Sequence, residues 1–202
     1  MSVEMDSRPR RRRLAPEARK AQILDVVESL LAEKGYWGMA YSDIAKHTGV
    51  TVQAVMHYFP TKDELMLAVL ARRDRVDITA VAPTDHRVRD ADEFVRVIDR
   101  LVRRNQDRPA LIQLYSILSA ESLHSAHPAY AFFQERLERG LGALAALAEP
   151  WHPDPLRLAA EVYSALDGQQ LLWLRAVRFG LVDQWRTWAR HRFHEEFDFD
   201  DQ

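Results

Sequence analysis

Apolar positions recur at spacings of three and four along most of the chain, the period of an amphipathic helix. Ile23, Val26, Val27, Leu30 and Leu31 make one such stripe after Glu17. Pro16 suits a first turn, where its missing N–H costs nothing, and Gly35 suits a stop just past Lys34. Two short helices follow at 41–48 and 51–59, with Gly49 between them and Thr51 placed to cap the second. Pro60 ends the pair, because the residue before a proline avoids the helical region. Thr61 with Glu64 three residues on is a capping box, so a longer helix starts at Lys62 and carries Leu65, Met66, Val69 and Leu70 on one side.

Beyond the polar stretch 82–90, the pattern predicts helices at 91–106, 109–123, 128–148, 155–178 and 181–197. Pro109, Pro128, Pro150 to Pro155 and Gly180 mark the breaks. No useful length alternates with period two, so no strand is predicted. The expected fold class is all-α. The expected parts are a disordered basic arm at 1–14, a three-helix unit at 15–60, a connecting helix at 61–80 and a larger helical domain at 81–202.

Composition narrows the chemistry. The 202 residues are 47% apolar and 29% charged, which is ordinary globular balance and long enough for a core without staples. The absence of cysteine removes disulfides, thiolate catalysis and cysteine metal sites, and agrees with a cytoplasmic location. No run approaches the ~18 apolar residues of a membrane span, and no apolar segment follows the basic start as in a secretory signal. The net charge of −2 hides an asymmetry. Residues 1–75 hold 13 Lys and Arg against 10 Asp and Glu, whereas 76–202 hold 15 against 20. Arg8, Arg10, Arg11, Arg12 and Arg13 lead the chain, so its front is suited to a polyanion.

The stretch Tyr41–Phe59 carries the most information and reads as a helix-turn-helix. Two helices that cross steeply must approach closely, which calls for a small residue such as Ala45. The turn calls for a residue tolerant of positive φ, here Gly49. Ile44, Val50 and Val55 then fill the space between the helices. Thr51, Gln53, Ala54, His57 and Tyr58 remain for a face that can enter a DNA major groove.

Through Ile23-Leu24, Gly35-Tyr36, Asp43-Ile44-Ala45, Gly49-Val50-Thr51, Tyr58-Phe59 and Lys62-Asp63-Glu64-Leu65 the chain resembles the tetracycline-repressor (TetR) family of bacterial transcription regulators. The resemblance covers residues 17–70, and Ala165-Leu166-Asp167-Gly168 is similar to the penultimate helix of many members. It implies an all-α subunit, with an N-terminal three-helix helix-turn-helix head followed by a larger helical ligand-binding and dimerisation domain. It also implies a homodimer on a palindromic double-stranded DNA operator, released by a small-molecule effector. By the same resemblance, Thr51, Tyr58 and Lys62 are phosphate contacts, and Gln53, Ala54 and His57 face base edges. Two positions depart from the family pattern. Met56 stands where a tyrosine is usual, and no Thr or Ser stands at Met39–Ala40, so Ser42 is expected to cap the second helix and join the DNA contacts. Arg10, Arg11, Arg12 and Arg13 are expected to compensate by lying in the flanking minor groove.

In the carboxy-terminal domain an effector site is expected to be largely apolar with few polar anchors, lined by Phe94, Tyr115, Leu118, Phe132 and Trp173, with Glu121 and His124 as polar candidates. An apolar or aromatic effector fits such a lining. The 158–177 helix is apolar on more than one face, and with the last helix it suggests a dimer interface through Val162, Leu166, Trp173, Leu181, Trp185 and Trp188. The spacings His124/His127 and His191/His194 lack any accompanying metal motif, so neither metal nor cofactor is expected. No GxSxG, P-loop or GxGxxG motif is present, so enzyme activity is not expected. Two alternatives stay open: a ligand-independent or activating regulator, and a helical carrier or enzyme that retains a vestigial head.

Overall fold

The computed structural model describes residues 14–81, 88–175, 178–194, 197 and 199, with the backbone alone for 75–81. Among them every regular element is an α-helix: α1 Pro16–Gly38, α2 Tyr41–Thr48, α3 Val52–Tyr58, α4 Lys62–Val81, α5 Ala91–Gln106, α6 Pro109–Glu121, α7 Tyr130–Ala148, α8 Pro155–Leu174 and α9 Leu181–Phe193. The fold is all-α, as the periodicity predicts. The arm with Arg10, Arg11, Arg12 and Arg13 lies outside the described residues.

Local chemistry sets the boundaries. Gly35, at φ 69°, breaks α1 where the sequence predicts a stop. Asp90 and Asp154 cap α5 and α8 by accepting from the backbone N–H of Glu93 and Arg157. The 155–178 helix ends early, at Leu174, because the Arg175 N–H turns back to Leu172 and tightens the last turn. The helix predicted from 128 starts at Tyr130. Before it, the ring nitrogens of His124 and His127 accept from the N–H groups of Ala126 and Ala129 and hold a series of turns.

The apolar side chains form two cores. The first joins α1 to α4 with α6: Ile23, Val27, Leu30, Ile44, Val55, Leu65, Met66 and Leu70 share it with Leu114, Tyr115 and Leu118. The second joins α5, α7, α8 and α9 around Phe94, Ile98, Leu158, Val162, Leu181 and Trp185. Thus α6 packs with the amino-terminal helices although it lies in the carboxy-terminal half of the chain. Each fully buried Leu or Ile contributes about 1.5–3 kcal/mol, so the first core fixes the head firmly on α6.

Two charged groups fasten α4 along its length. Arg72 reaches Asp25 and Glu28 of α1, both at 2.7 Å. Asp74, 8% exposed, faces the other way, towards α6 and α7.

Candidate nucleic-acid interface

Gly49 sits at φ 67°, ψ 34°, the left-handed conformation that lets α2 stop and the chain turn sharply into α3. Ile44, Ala45 and Val55 are buried between the two helices, with Val50 packed against them. The buried hydroxyl of Thr48 donates back to the carbonyl of Ile44 at 2.7 Å. The Tyr41 hydroxyl donates to the carbonyl of Phe59 at 2.8 Å and ties the start of α2 to the end of α3.

The start of α2 differs from expectation. Ala40 occupies the cap position and has no side-chain acceptor, and Ser42 lies two residues into the helix. The cap comes instead from Asp43, whose carboxylate accepts from the Ala40 N–H at 3.1 Å and pairs with Lys34 at 2.8 Å. The hydrogen bond from Lys34, then that from Ala40, holds the Asp43 carboxyl below the usual range, and Asp43 raises Lys34 in turn. An acid three residues past the cap position was the available sequence signal.

On α3, Thr51 caps the helix by accepting from the Ala54 N–H at 3.1 Å. Gln53 and His57, one turn apart, are exposed, with half-buried Ala54 beside them. Tyr58 is half-buried against the head core, and the His57 ring stands edge-on to it at 5.5 Å. Met56 is 45% exposed. The structure therefore gathers Thr51, Gln53, Ala54 and His57 on one side of the head, with Tyr58 at its margin.

Lys62 is placed differently. Its Nζ donates to the Tyr36 carbonyl at 2.6 Å and lies 4.2 Å from the centre of the Tyr36 ring. Burial lowers its pKa. This amine ties the start of α4 to the end of α1.

The seven candidate effector residues do not surround one space. Phe94 is fully buried in the second core, edge-on to Trp151 and Phe193. Leu118 is fully buried in the first core, and Phe132 packs at its edge against Phe133. Glu121 and His124 are exposed, with Glu121 4.0 Å from His127. Trp173 borders an open cleft of about 510 Å³ with Arg103, Gln106, Asp107, Gly180, Val182 and Asp183. Tyr115 belongs to a cluster that the sequence did not announce. Its hydroxyl donates to Asp74 Oδ1 at 2.5 Å, and Arg136 Nε donates to the same oxygen at 3.3 Å. Arg136 Nη1 donates to the Tyr163 hydroxyl oxygen at 2.9 Å, and Arg139 lies 3.6 Å from Asp74 Oδ2. Burial raises the Tyr163 hydroxyl and keeps it protonated. No motif marks these residues, because they come from four separate helices.

The dimer residues also need correction. Val162, Leu181 and Trp185 are 0% exposed and Leu166 is 7% exposed, all within the subunit's second core. Trp188 stacks on Trp185 at 5.4 Å, and Trp173 packs against the same core. Val162, Leu181 and Trp185 are consumed by the subunit's own packing and have no surface for a second copy, whereas Trp173 and Trp188 stay partly exposed. The large apolar residues that α8 leaves outside are Leu156, Leu171 and Leu172, followed by Phe179. Among the described residues, no three His, Asp or Glu side chains gather as metal ligands, and no helix is long and apolar enough to cross a membrane.

Residues 23–69, which carry the two-helix unit and most of the amino-terminal share of the first core, match the model of the bacterial regulatory proteins of the tetR family. The chain is 32% identical over 122 residues to the HTH-type transcriptional regulator CymR of Pseudomonas putida, covering 51% of this chain and 60% of that protein. It is 39% identical over 69 residues to the HTH-type transcriptional regulator LuxR of Vibrio harveyi, covering 33% of each. It therefore spans three-fifths or less of the curated relatives it matches. Among solved structures, one from Saccharomonospora viridis, described as a transcriptional regulator in complex with choline, superposes with a TM-score of 0.71 at 22% identity, covering 90% of this chain and 98% of that one. A tetR-family transcriptional regulator from Streptomyces coelicolor superposes with a TM-score of 0.70 at 18% identity, over 89% and 80%. These likenesses show a shared fold over about nine-tenths of the chain, and residues 23–69 carry the match to the bacterial regulatory proteins of the tetR family.

Proposed function

We propose that this chain is a cytoplasmic DNA-binding transcription regulator, a repressor that leaves a palindromic operator when a small molecule binds its carboxy-terminal body. The observation that carries this reading is the α3 surface. A helix capped at Thr51 and anchored by Val55 presents Gln53 and His57 to solvent, at the spacing that reads base edges. The head gives that helix a fixed bearing, as sequence reading requires. Two copies are needed for a palindrome, and the outward face of α8, with Ala160, Ser164, Gly168, Leu171 and Leu172, is the surface we assign to the second copy. The choline held by the Saccharomonospora viridis neighbour supports a small-molecule role for the body.

A carrier or enzyme with a vestigial head is disfavoured by the intact caps, turn and core of that head. An activating or ligand-independent regulator would use the same α3 surface. The test is selection of the full-length protein on a randomised duplex pool at near-physiological salt. An enriched palindrome supports the dimeric reader and fixes its half-site spacing. Salt-sensitive binding without enrichment overturns it.

A further inference from the structure

Two guanidinium groups converge on one buried carboxylate where α4 meets the body. Arg136 donates to Asp74 Oδ1 at 3.3 Å, and Arg139 stands 3.6 Å from Oδ2. Asp74 is buried, whereas the Arg136 and Arg139 side chains are 33% and 49% exposed. The other polar contacts of these arginines are with neutral oxygens, the Tyr163 hydroxyl for Arg136 and the Glu135 carbonyl for Arg139. Asp167, one turn along α8 from Tyr163, forms no ion pair with either among the described residues. Among the described residues these two positive charges are answered at contact distance by one carboxylate, with Asp167 acting on Arg136 from farther off, and both side chains are partly exposed to solvent. Tyr115 lies against Arg136, its ring centre 4.5 Å from the Arg136 guanidinium carbon, and Phe133 stands edge-on to Tyr115 at 6.5 Å.

We propose that Arg136 and Arg139 form a binding site for a small-molecule carboxylate with an apolar or aromatic body, and that this ligand competes with Asp74 for them. A carboxylate bridging two guanidinium groups is a strong, oriented contact. The aromatic rings beside Arg136 receive the apolar part. Taking Arg136 away from Asp74 loosens the join between α4 and the body. That consequence rests on the regulator reading above; the binding itself does not.

The test is calorimetric titration of the full-length protein with sodium benzoate and sodium hexanoate, against benzylamine and choline chloride as cationic counterparts. Both carboxylates are expected to bind saturably and the cations not to bind. Arg139→Gln should weaken carboxylate binding about tenfold, the scale of one charged hydrogen bond. Asp74→Asn should strengthen it several-fold, because the competing charge is gone; a carboxylate acting only as a structural support would give no such gain. If Asp74→Asn fails to fold, the half-exposed Arg139→Gln decides alone. The proposal is overturned by no saturable binding up to about 10 mM, by binding indifferent to Arg139→Gln, by weaker binding in a folded Asp74→Asn, or by binding of the cations instead. Because no DNA is present, failure here is separate from failure to enrich an operator. Where an operator is enriched, benzoate should lower its occupancy in wild type and not in Arg139→Gln.

Discussion

Arg72 and Asp74 stand two residues apart on α4 and hold opposite halves of the subunit. Two residues turn a helix by about 200°, so neighbouring positions serve opposite partners. Arg72 grips Asp25 and Glu28 of α1, while Asp74 takes the Tyr115 hydroxyl and Arg136. A rotation of α4 strains both attachments at once, which makes this turn a joint between head and body. Arg72→Ala should lower stability by about 1–2 kcal/mol, since the ion pairs are only partly shielded, and the loss should shrink at high salt. Chemical denaturation at two ionic strengths measures it.

A second prediction concerns α7 and α8. A Cβ added at Gly140 would lie 2.7 Å from Tyr163 Cε2, closer than carbon atoms approach. Gly140→Ala should force the helices apart, costing about 1–3 kcal/mol as overpacking does. It should also displace the Tyr163 hydroxyl from Arg136. Adding Tyr163→Leu should recover part of the stability, as read by thermal melting of the single and double variants.

The turn of the head offers a third. Gly49 has φ 67°, so Gly49→Ala places a Cβ in the left-handed region at a cost of about 1–2 kcal/mol. The substitution should lower the melting temperature. DNA affinity should fall as well, because the bearing of α3 depends on this turn. Loss of stability with full DNA affinity would show that the turn does not set that bearing.

On the exposed face of α3, Gln53→Ala and His57→Ala should relax base preference at one or two operator positions by about 1–3 kcal/mol each. Lys62→Ala should act mainly on folding, because its amine is spent on the Tyr36 carbonyl and ring. Competition binding against operator variants separates base preference from overall affinity, and a melting curve reports the lysine's structural share.

The last prediction is a pH dependence. The Asp43 carboxyl is held below its unfolded value by Lys34 and by the Ala40 N–H. The native state therefore binds this proton less readily than the unfolded state. The stability it contributes is present above about pH 4 and is lost as pH falls through the lowered folded value. Asp43→Ala should be less stable than wild type near neutrality, and the two melting curves should converge in acid. A constant difference across that range would remove the charge from the account of this cap.

Much of the amino-terminal half was legible because its determinants are local. The stripe of α1, the break at Gly35, the left-handed Gly49, the Thr51 cap and the Thr61 hydroxyl on the Glu64 N–H each depend on residues within a few positions of one another. Their order and spacing also carried the family resemblance. The cap of α2 was misassigned to Ser42, since one hydroxyl near a helix start reads much like another until Asp43 is seen on the Ala40 N–H.

The sequence by itself determined the helices, the head and the exposed face of α3, because periodicity, caps and turns are short-range properties. Tertiary structure decided the rest. It buried Val162, Leu181 and Trp185 inside the subunit rather than between subunits, since an apolar stripe states that it will be covered and not by what. It placed α6 in the core of the head, and it spent Lys62 on a backbone carbonyl. It also brought Asp74, Tyr115, Arg136 and Tyr163 together from four helices, a meeting made by the packing of distant segments and written in no local pattern.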